Sequence, residues 1–292
     1  MADHHPEIDA ATGRTTTGHE WDGIKELNSP LPKWWLYIFY ATIVWSIGYW
    51  VVYPAWPLVT NYTKGAFGYA SRQDVIRDLD ALKALRAERS GALARTDLAD
   101  IAKDPTLLTF ALAQGKAAFG DNCAPCHGLS ATGARGFPNL RDDSWLWGGS
   151  IQDIHQTIAH GIRNGDDRAR QGNMPALGGP NGVLKPDEVI TVANFVRSLS
   201  GQSTRPGTDL AKGKELFIAN CAACHGEEGR GNKELGAPNL TGRNWVYGSD
   251  ERTIIETINN GRGGVMPGWT TRLDETTVKA LAVYVHALGG GQ

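Results

Sequence analysis

The sequence is short of several residue types, and each shortage closes off a class of function. Its 29 basic side chains are matched by 31 acidic ones, for a net charge of -2. With no basic helix or zinc-finger spacing besides, nothing faces a phosphate backbone, and nucleic acid is not an expected partner. Cysteine is scarce, with only Cys123, Cys126, Cys221 and Cys224. Methionine is scarcer still, since Met174 and Met266 are the only two besides Met1. One stretch lacks charge altogether, with no Asp, Glu, Lys or Arg from Trp34 to Tyr62.

That stretch is apolar or aromatic almost throughout from Trp34 to Val52, a run of roughly 28 Å as a helix, which suits a hydrocarbon core of about 30 Å. Trp34, Trp35 and Tyr37 mark one end and Tyr49, Trp50, Tyr53 and Trp56 the other, where amphipathic rings collect at membrane interfaces. Residues 34–57 therefore read as a transmembrane helix closed by Pro54 and Pro57. A buried core helix has no need of two aromatic girdles, and a cleaved signal peptide is not preceded by 33 residues with six acidic groups. Residues 1–33, with Arg14, Lys25 and Lys33 as their basic groups, form an N-terminal segment whose charge barely orients the helix.

A connector spans residues 58–103. Within it Val75, Ile76, Leu79, Leu82 and Leu85 fall at helical spacing, so a helix over 71–89 is expected, with Ser71 and Asp74 at its N-terminal cap and its apolar side packed on something. Asp104 and Pro105 read as the cap and first residue of the next helix.

From there the chain repeats itself. Gly115-Lys116, Phe119, Asn122, Cys123, Cys126 and His127 recur at a constant offset of 98 as Gly213-Lys214, Phe217, Asn220, Cys221, Cys224 and His225. With two residues inserted, Pro138-Asn139-Leu140, Trp145, Gly148, Ile154, Ile158 and Gly161 recur as Pro238-Asn239-Leu240, Trp245, Gly248, Ile254, Ile258 and Gly261. Met174-Pro175 then matches Met266-Pro267, and Ala193-x-Phe195-Val196-x-x-Leu199 matches Ala282-x-Tyr284-Val285-x-x-Leu288. One helical module has been duplicated, giving expected domains over 104–204 and 205–292. So few helices bury little apolar surface, and a large prosthetic group would supply the missing core.

The C-x-x-C-H spacing names that group. Two thiols on one helical turn reach the two vinyl groups of one heme, and the next residue's imidazole comes under the iron. Zinc, a thioredoxin-type redox pair and disulfides are the alternatives. A zinc ribbon holds its two pairs about 15 to 20 residues apart, whereas 94 residues separate Cys126 from Cys221. The helical pattern also lacks the strand context of a thioredoxin motif. Two covalently attached hemes c are expected, on Cys123 and Cys126 and on Cys221 and Cys224, with His127 and His225 as axial iron ligands.

Met174 and Met266 complete the set. Each precedes a Pro in a Gly-rich loop, 47 and 41 residues downstream of its module's histidine, so the expected pairs are His127 with Met174 and His225 with Met266. His155 and His160 occur only in the first module and compete with Met174 there. Trp145, Trp245, Arg141 and Arg243 are candidate donors to heme carboxylates or ordinary packing and surface residues. Asn139 and Asn239 shape their loops or contribute to the site. Thr42 and Ser46 place small side chains one turn apart in the membrane helix, suited to a partner helix or to lipid.

A polar N-terminus, one aromatic-rich membrane helix running into Tyr53-Pro54-Ala55-Trp56-Pro57, and two C-x-x-C-H modules each with a Met-Pro resemble the CcoP (FixP) family, the diheme subunits of cbb3-type cytochrome c oxidases. The resemblance covers nearly the whole chain. It implies a mostly α fold, one N-terminal transmembrane helix followed by two tandem cytochrome c-type domains. It also implies a single-pass protein of the bacterial inner membrane, with residues 1–33 cytoplasmic and the hemes periplasmic. Such a subunit takes electrons from cytochrome c donors and passes them to a monoheme cytochrome c subunit and on to the catalytic subunit, where oxygen is reduced and protons are pumped. No catalytic residue is expected in the chain itself. The reading from another class is a freestanding diheme enzyme, which would need one iron with an open position.

Overall fold

The computed structural model describes residues 6–290, and the chain divides near Lys83 into two compact units. The first opens on a hairpin. Asp22 and Gly23 take φ of 51° and 86°, the double positive-φ turn that matches strand twist, and they join β1 (Thr16–Trp21) to β2 (Ile24–Leu27) with Trp21 opposite Ile24 and Glu20 opposite Lys25. Hydrophobic periodicity does not find this hairpin, because its strands are polar on most positions; the Asp-Gly pair is the signal that does.

Helix α1 (Lys33–Val52) begins behind Pro32 and ends before the extended Tyr53, five residues short of the expected 34–57 span because Pro54 forbids the continuation. None of its side chains is buried. The hydroxyls of Thr42 and Ser46 donate back to the Phe39 and Thr42 carbonyls at 2.7 and 2.8 Å, so neither leaves an unmet polar group in lipid. Past α1 the chain doubles back: Ala66 and Phe67 donate to the Val51 and Val52 carbonyls, satisfying acceptors that the helix end leaves open. There the Tyr53 ring meets Phe67 and Tyr69 edge-on at 5.5 and 5.8 Å.

Helix α2 (Ser71–Arg95) is six residues longer than periodicity suggests. Its stripe of Val75, Ile76, Leu79, Leu82 and Leu85 is exposed along its length in the isolated chain; only Leu93 near its end is buried.

The second unit holds α3 (Leu98–Ile101), α4 (Pro105–Asn122), α5 (Ala124–His127), α6 (Ile151–His160), α7 (Pro186–Leu199), α8 (Leu210–Asn220), α9 (Ala222–His225), α10 (Glu251–Asn260) and α11 (Glu275–His286). Short acceptors start the long ones. As expected, Asp104 takes the Thr106 and Leu107 amides at 2.8 and 3.1 Å ahead of Pro105, and Ser150, Asp209, Asp250 and Asp274 cap α6, α8, α10 and α11 in the same way.

The core is not arranged module by module. Helix α11, which closes the second copy in sequence, buries Val278, Leu281, Ala282 and Val285 against Phe119 of α4 and Ile154 and Ile158 of α6 in the first. Helix α7, which closes the first copy, buries Val189, Val192, Phe195 and Val196 against Phe217 of α8 and Ile254 and Ile258 of α10 in the second. The two crossings use the same device. A Cβ on Gly115 would stand 2.2 Å from the Ala280 carbonyl, and one on Gly213 would stand 2.8 Å from the Phe195 Cβ, so glycine lets each helix pair touch backbone to backbone. A tilted ring pair sits beside each, Phe119 with Tyr284 at 5.5 Å and Phe195 with Phe217 at 5.4 Å. The sequence modules 104–204 and 205–292 thus exchange their last helices in space.

Candidate functional site

Each C-x-x-C-H lies on a single helical turn, α5 or α9, entered directly from the helix before it: Cys123 accepts the end of α4 and Cys221 the end of α8. The turn places Cys126 and Cys224 on the exposed side and Cys123 and Cys221 inward. Burial pushes the Cys123 and Cys221 thiols up to about 11, with the neighbouring cysteine adding to the rise. A redox or nucleophilic cysteine needs the opposite shift, which counts against the thioredoxin-type alternative. The two pairs also belong to different core clusters, which separates them from any shared tetrahedral zinc site.

The imidazoles are held alike. His127 Nδ1 donates to the Pro138 carbonyl at 3.1 Å and His225 Nδ1 to the Pro238 carbonyl at 3.0 Å. That bond fixes the ring and the tautomer and leaves Nε2 free as a ligand. Burial lowers both histidines' pKa, favouring the neutral form that binds iron. Pro138 and Pro238 were visible only as repeated Pro-Asn-Leu; their carbonyls, which sequence carries no sign of, are what position the ligands. Asn139 and Asn239 turn the loop behind them, accepting from the Arg141 and Thr241 amides, each at 2.9 Å.

The methionines sit in the opposite halves from those their sequence order suggests. Met266 packs in the cluster of Phe119, Cys123, Leu140 and Trp145, and Met174 in that of Phe217, Cys221, Leu240 and Trp245. Main-chain pairs fix the exchange: Met174 and Arg262 trade N–H to carbonyl bonds at 2.9 and 3.0 Å, as do Ile162 and Met266. Gly161 and Gly261, both at φ 70°, end α6 and α10 at these points. A Cβ there would meet the Met266 carbonyl at 2.3 Å and the Met174 carbonyl at 2.4 Å. The packing groups His127's cysteine with Met266 and His225's with Met174, across the sequence order on which the expected pairing of His127 with Met174 and His225 with Met266 is based. Two identical sets of a cysteine pair, an oriented imidazole, a thioether and an indole around an apolar cluster suit a heme in each half.

The other candidates fall outside those sets. His160 is buried with Nδ1 3.0 Å from the Asp166 carboxylate. His155 and His160 line a cavity of ≈ 300 Å³ together with Arg168, Thr270 and Glu275, and neither methionine lines it. They belong to the half that contains Met266, so neither competes for the place of Met174. Trp145 Nε1 donates to the Gly290 carbonyl and Trp245 Nε1 to the Gly242 carbonyl, the latter at 3.2 Å; both indoles are spent on backbone.

The chain matches three family models: the N-terminal domain of cytochrome oxidase-cbb3, FixP, over residues 13–60, cytochrome c over 112–200, and cytochrome c oxidase, cbb3-type, subunit III over 208–285. It is 61% identical, over the full length of both chains, to the Cbb3-type cytochrome c oxidase subunit FixP of Bradyrhizobium sp. (strain ORS 278). The FixP subunit of Azorhizobium caulinodans is 59% identical over 99% of this chain and 98% of its own. The CcoP subunit of Azospirillum brasilense is 50% identical over 98% of this chain and 99% of its own.

Proposed function

Because this chain belongs to the FixP/CcoP family of cbb3-type cytochrome c oxidase subunits, we propose that it is an electron-entry subunit holding two covalently attached hemes c with exchanged methionine ligands. Its role in electron transfer follows from the family. The carrying observation for the finer reading is that each apolar cluster contains one C-x-x-C cysteine, the loop of its proximal histidine and the methionine of the other copy.

Bound heme supplies a one-electron iron couple, and methionine with histidine as axial ligands raises its potential. The chain's part would be to attach it at Cys123 and Cys126 or Cys221 and Cys224, to orient His127 or His225 through Pro138 or Pro238, and to supply Met266 or Met174 as the iron's other protein ligand. With a histidine and a methionine committed to each heme, this subunit would have no site left for a substrate and would not be catalytic alone. It accepts electrons from cytochrome c and hands them to the monoheme and catalytic subunits. Helix α1 anchors it in the bacterial inner membrane with the N-terminus in the cytoplasm and the second unit in the periplasm.

The test is to purify the full-length subunit away from its complex and mix it with reduced cytochrome c. It should take up two electrons per chain, bind carbon monoxide poorly, and consume neither oxygen nor peroxide at enzymatic rates. Turnover by the isolated subunit would establish the diheme-enzyme reading instead.

A further inference from the structure

The two copies diverge between the aligned Gly161 and Gly261 and their methionines, where the first copy carries eight more residues. Counting from the aligned Gly161 and Gly261, Arg163 in the first copy corresponds to Gly263 in the second. The Arg163 guanidinium reaches both methionine loops at once: Nε donates to the Gly264 carbonyl at 2.7 Å and Nη1 donates to the Gly172 carbonyl. Gly172 and Gly264 lie at the same place in each loop, two residues before Met174 and Met266. A single side chain therefore ties equivalent points of both loops.

Three further observations set Arg163 apart. Its backbone has φ of 50°, in the left-handed region, a strain that persists only where the surroundings over-determine it and that clusters at functional sites. Its charge meets neutral carbonyls at both contacts; burial lowers its pKa, with only the Tyr247 phenol acting the other way. A Cβ on Gly263 would stand 4.0 Å from Arg163 Cδ and Nε, so the side chain passes the matched position. The neighbouring Arg262 is engaged by Tyr247, Thr257 and Glu256, whereas Arg163 reaches both methionine loops.

We propose that Arg163 is a positioning residue shared by both iron sites, whose guanidinium fork fastens the two methionine loops together and whose charge raises the reduction potential of both hemes. This rests on Met174 and Met266 being the axial ligands, and not on which iron each takes. A fixed cation favours the less positive, reduced iron, and hydrogen bonds to a ligand's own loop hold the ligand in place.

The experiment uses the full-length hemylated chain carrying Arg163→Gly. Glycine takes φ of 50° without strain, as the second copy already has it at the matched position, so the variant removes the fork and the charge without burdening the backbone. Both midpoint potentials should fall together, each by about a tenfold change in the reduced-to-oxidised ratio, ~59 mV for one electron, and imidazole should displace the methionine from both irons at lower concentrations. Arg163→Lys keeps the charge but cannot span both carbonyls; it should restore the potentials and leave the easier displacement. Unchanged potentials in the glycine variant at full heme content, or a fall confined to one heme, would overturn the proposal. Absence of the methionine–iron absorbance from the parental chain would instead overturn the ligand assignment, and the potentials of the glycine variant would still decide on Arg163.

Discussion

Ile162 and Met266, 104 positions apart in the chain, exchange two main-chain hydrogen bonds at 2.9 and 3.0 Å. The methionine that ends the second copy's loop is thereby seated in the half that holds Cys123 and His127. The matching bonds between Met174 and Arg262 seat the other methionine beside Cys221. From this exchange come the sharpest predictions.

In a variant that cannot attach the first heme, Cys123→Ala with Cys126→Ala, the remaining heme should depend on Met174 and be indifferent to Met266. Adding Met174→Ala should then abolish the methionine–iron band near the red end of the spectrum, and adding Met266→Ala should leave it. The reverse pattern would restore the pairing by sequence order.

Residues 84–204 alone should not make a methionine-ligated cytochrome, even though they contain a complete C-x-x-C-H module in sequence. They lack α11, whose Leu281 and Val278 are almost wholly buried against α4 and α6, and they expose the apolar face of α7. Leaving several large side chains of this kind unburied costs about 1.5–3 kcal/mol each, a large share of a small domain's stability. Residues 84–292 should fold and load both hemes. A short fragment with full heme and a sharp melting transition would contradict the exchange.

Much of the cofactor chemistry was legible because it depends on contiguous residues: C-x-x-C-H sits on one turn whatever surrounds it, and Asp104-Pro105 starts a helix by local hydrogen bonds. The exchange was not legible, since Gly115 with Phe119 and Gly213 with Phe217 offer nearly identical docking faces, and α7 and α11 carry the same apolar pattern. Local periodicity says that each terminal helix is buried but not on which copy. Two departures from the repeat did carry information: Arg163 against Gly263, and His155 and His160 against Ile255 and Asn260. The stripe of α2 is a helical pattern that finds no cover within this chain.

The close approach at Gly115 should be sensitive to one methyl group. Gly115→Ala places a Cβ against the Ala280 carbonyl and the Tyr284 side chain, both fixed parts of α11, so the helices must separate. Overpacking of this kind costs about 1–3 kcal/mol. Gly120→Ala on the same helix, where a Cβ meets nothing within 4 Å, should be neutral or slightly stabilising by helix propensity. Urea titrations of the two variants, compared at equal heme content, decide it; equal midpoints would remove the backbone contact as a feature of the crossing.

His155 should contribute an acid-sensitive part of stability. Its Nε2 is buried with no partner; burial chiefly, and then Lys279 and His160, lower its pKa, while Glu275 acts the other way. Arg168 lines the same cavity. The unfolded chain binds a proton near pH 6.5 and the folded chain only below that. The stability tied to the neutral ring is therefore complete above about pH 6.5 and lost as the pH falls through that value towards the lower folded pKa. His155→Leu should flatten this dependence, so that its Tm drops less than the parent's between about pH 7.5 and about pH 5.5. An equal drop in both would assign the acid sensitivity elsewhere.

The orientation of α1 can be settled from one side of the membrane. The hydrophobic helix is ringed by aromatics at both ends, and only Lys33 marks its N-terminal edge with charge, so the positive-inside tendency is too weak to fix the topology by itself. Covalent attachment of heme c, which takes place outside the cytoplasm, decides it: both C-x-x-C-H turns follow α1 on the same side, and no second apolar span of membrane length occurs among the described residues. The proposed topology puts the whole stretch from Tyr53 onward in the periplasm and the Asp22-Gly23 hairpin in the cytoplasm. Protease added to spheroplasts should digest the heme-bearing unit and leave a membrane-protected fragment that retains an epitope placed at the hairpin turn. Protection of a C-terminal epitope, with loss of the hairpin one, would invert the topology and with it the proposed side from which electrons enter.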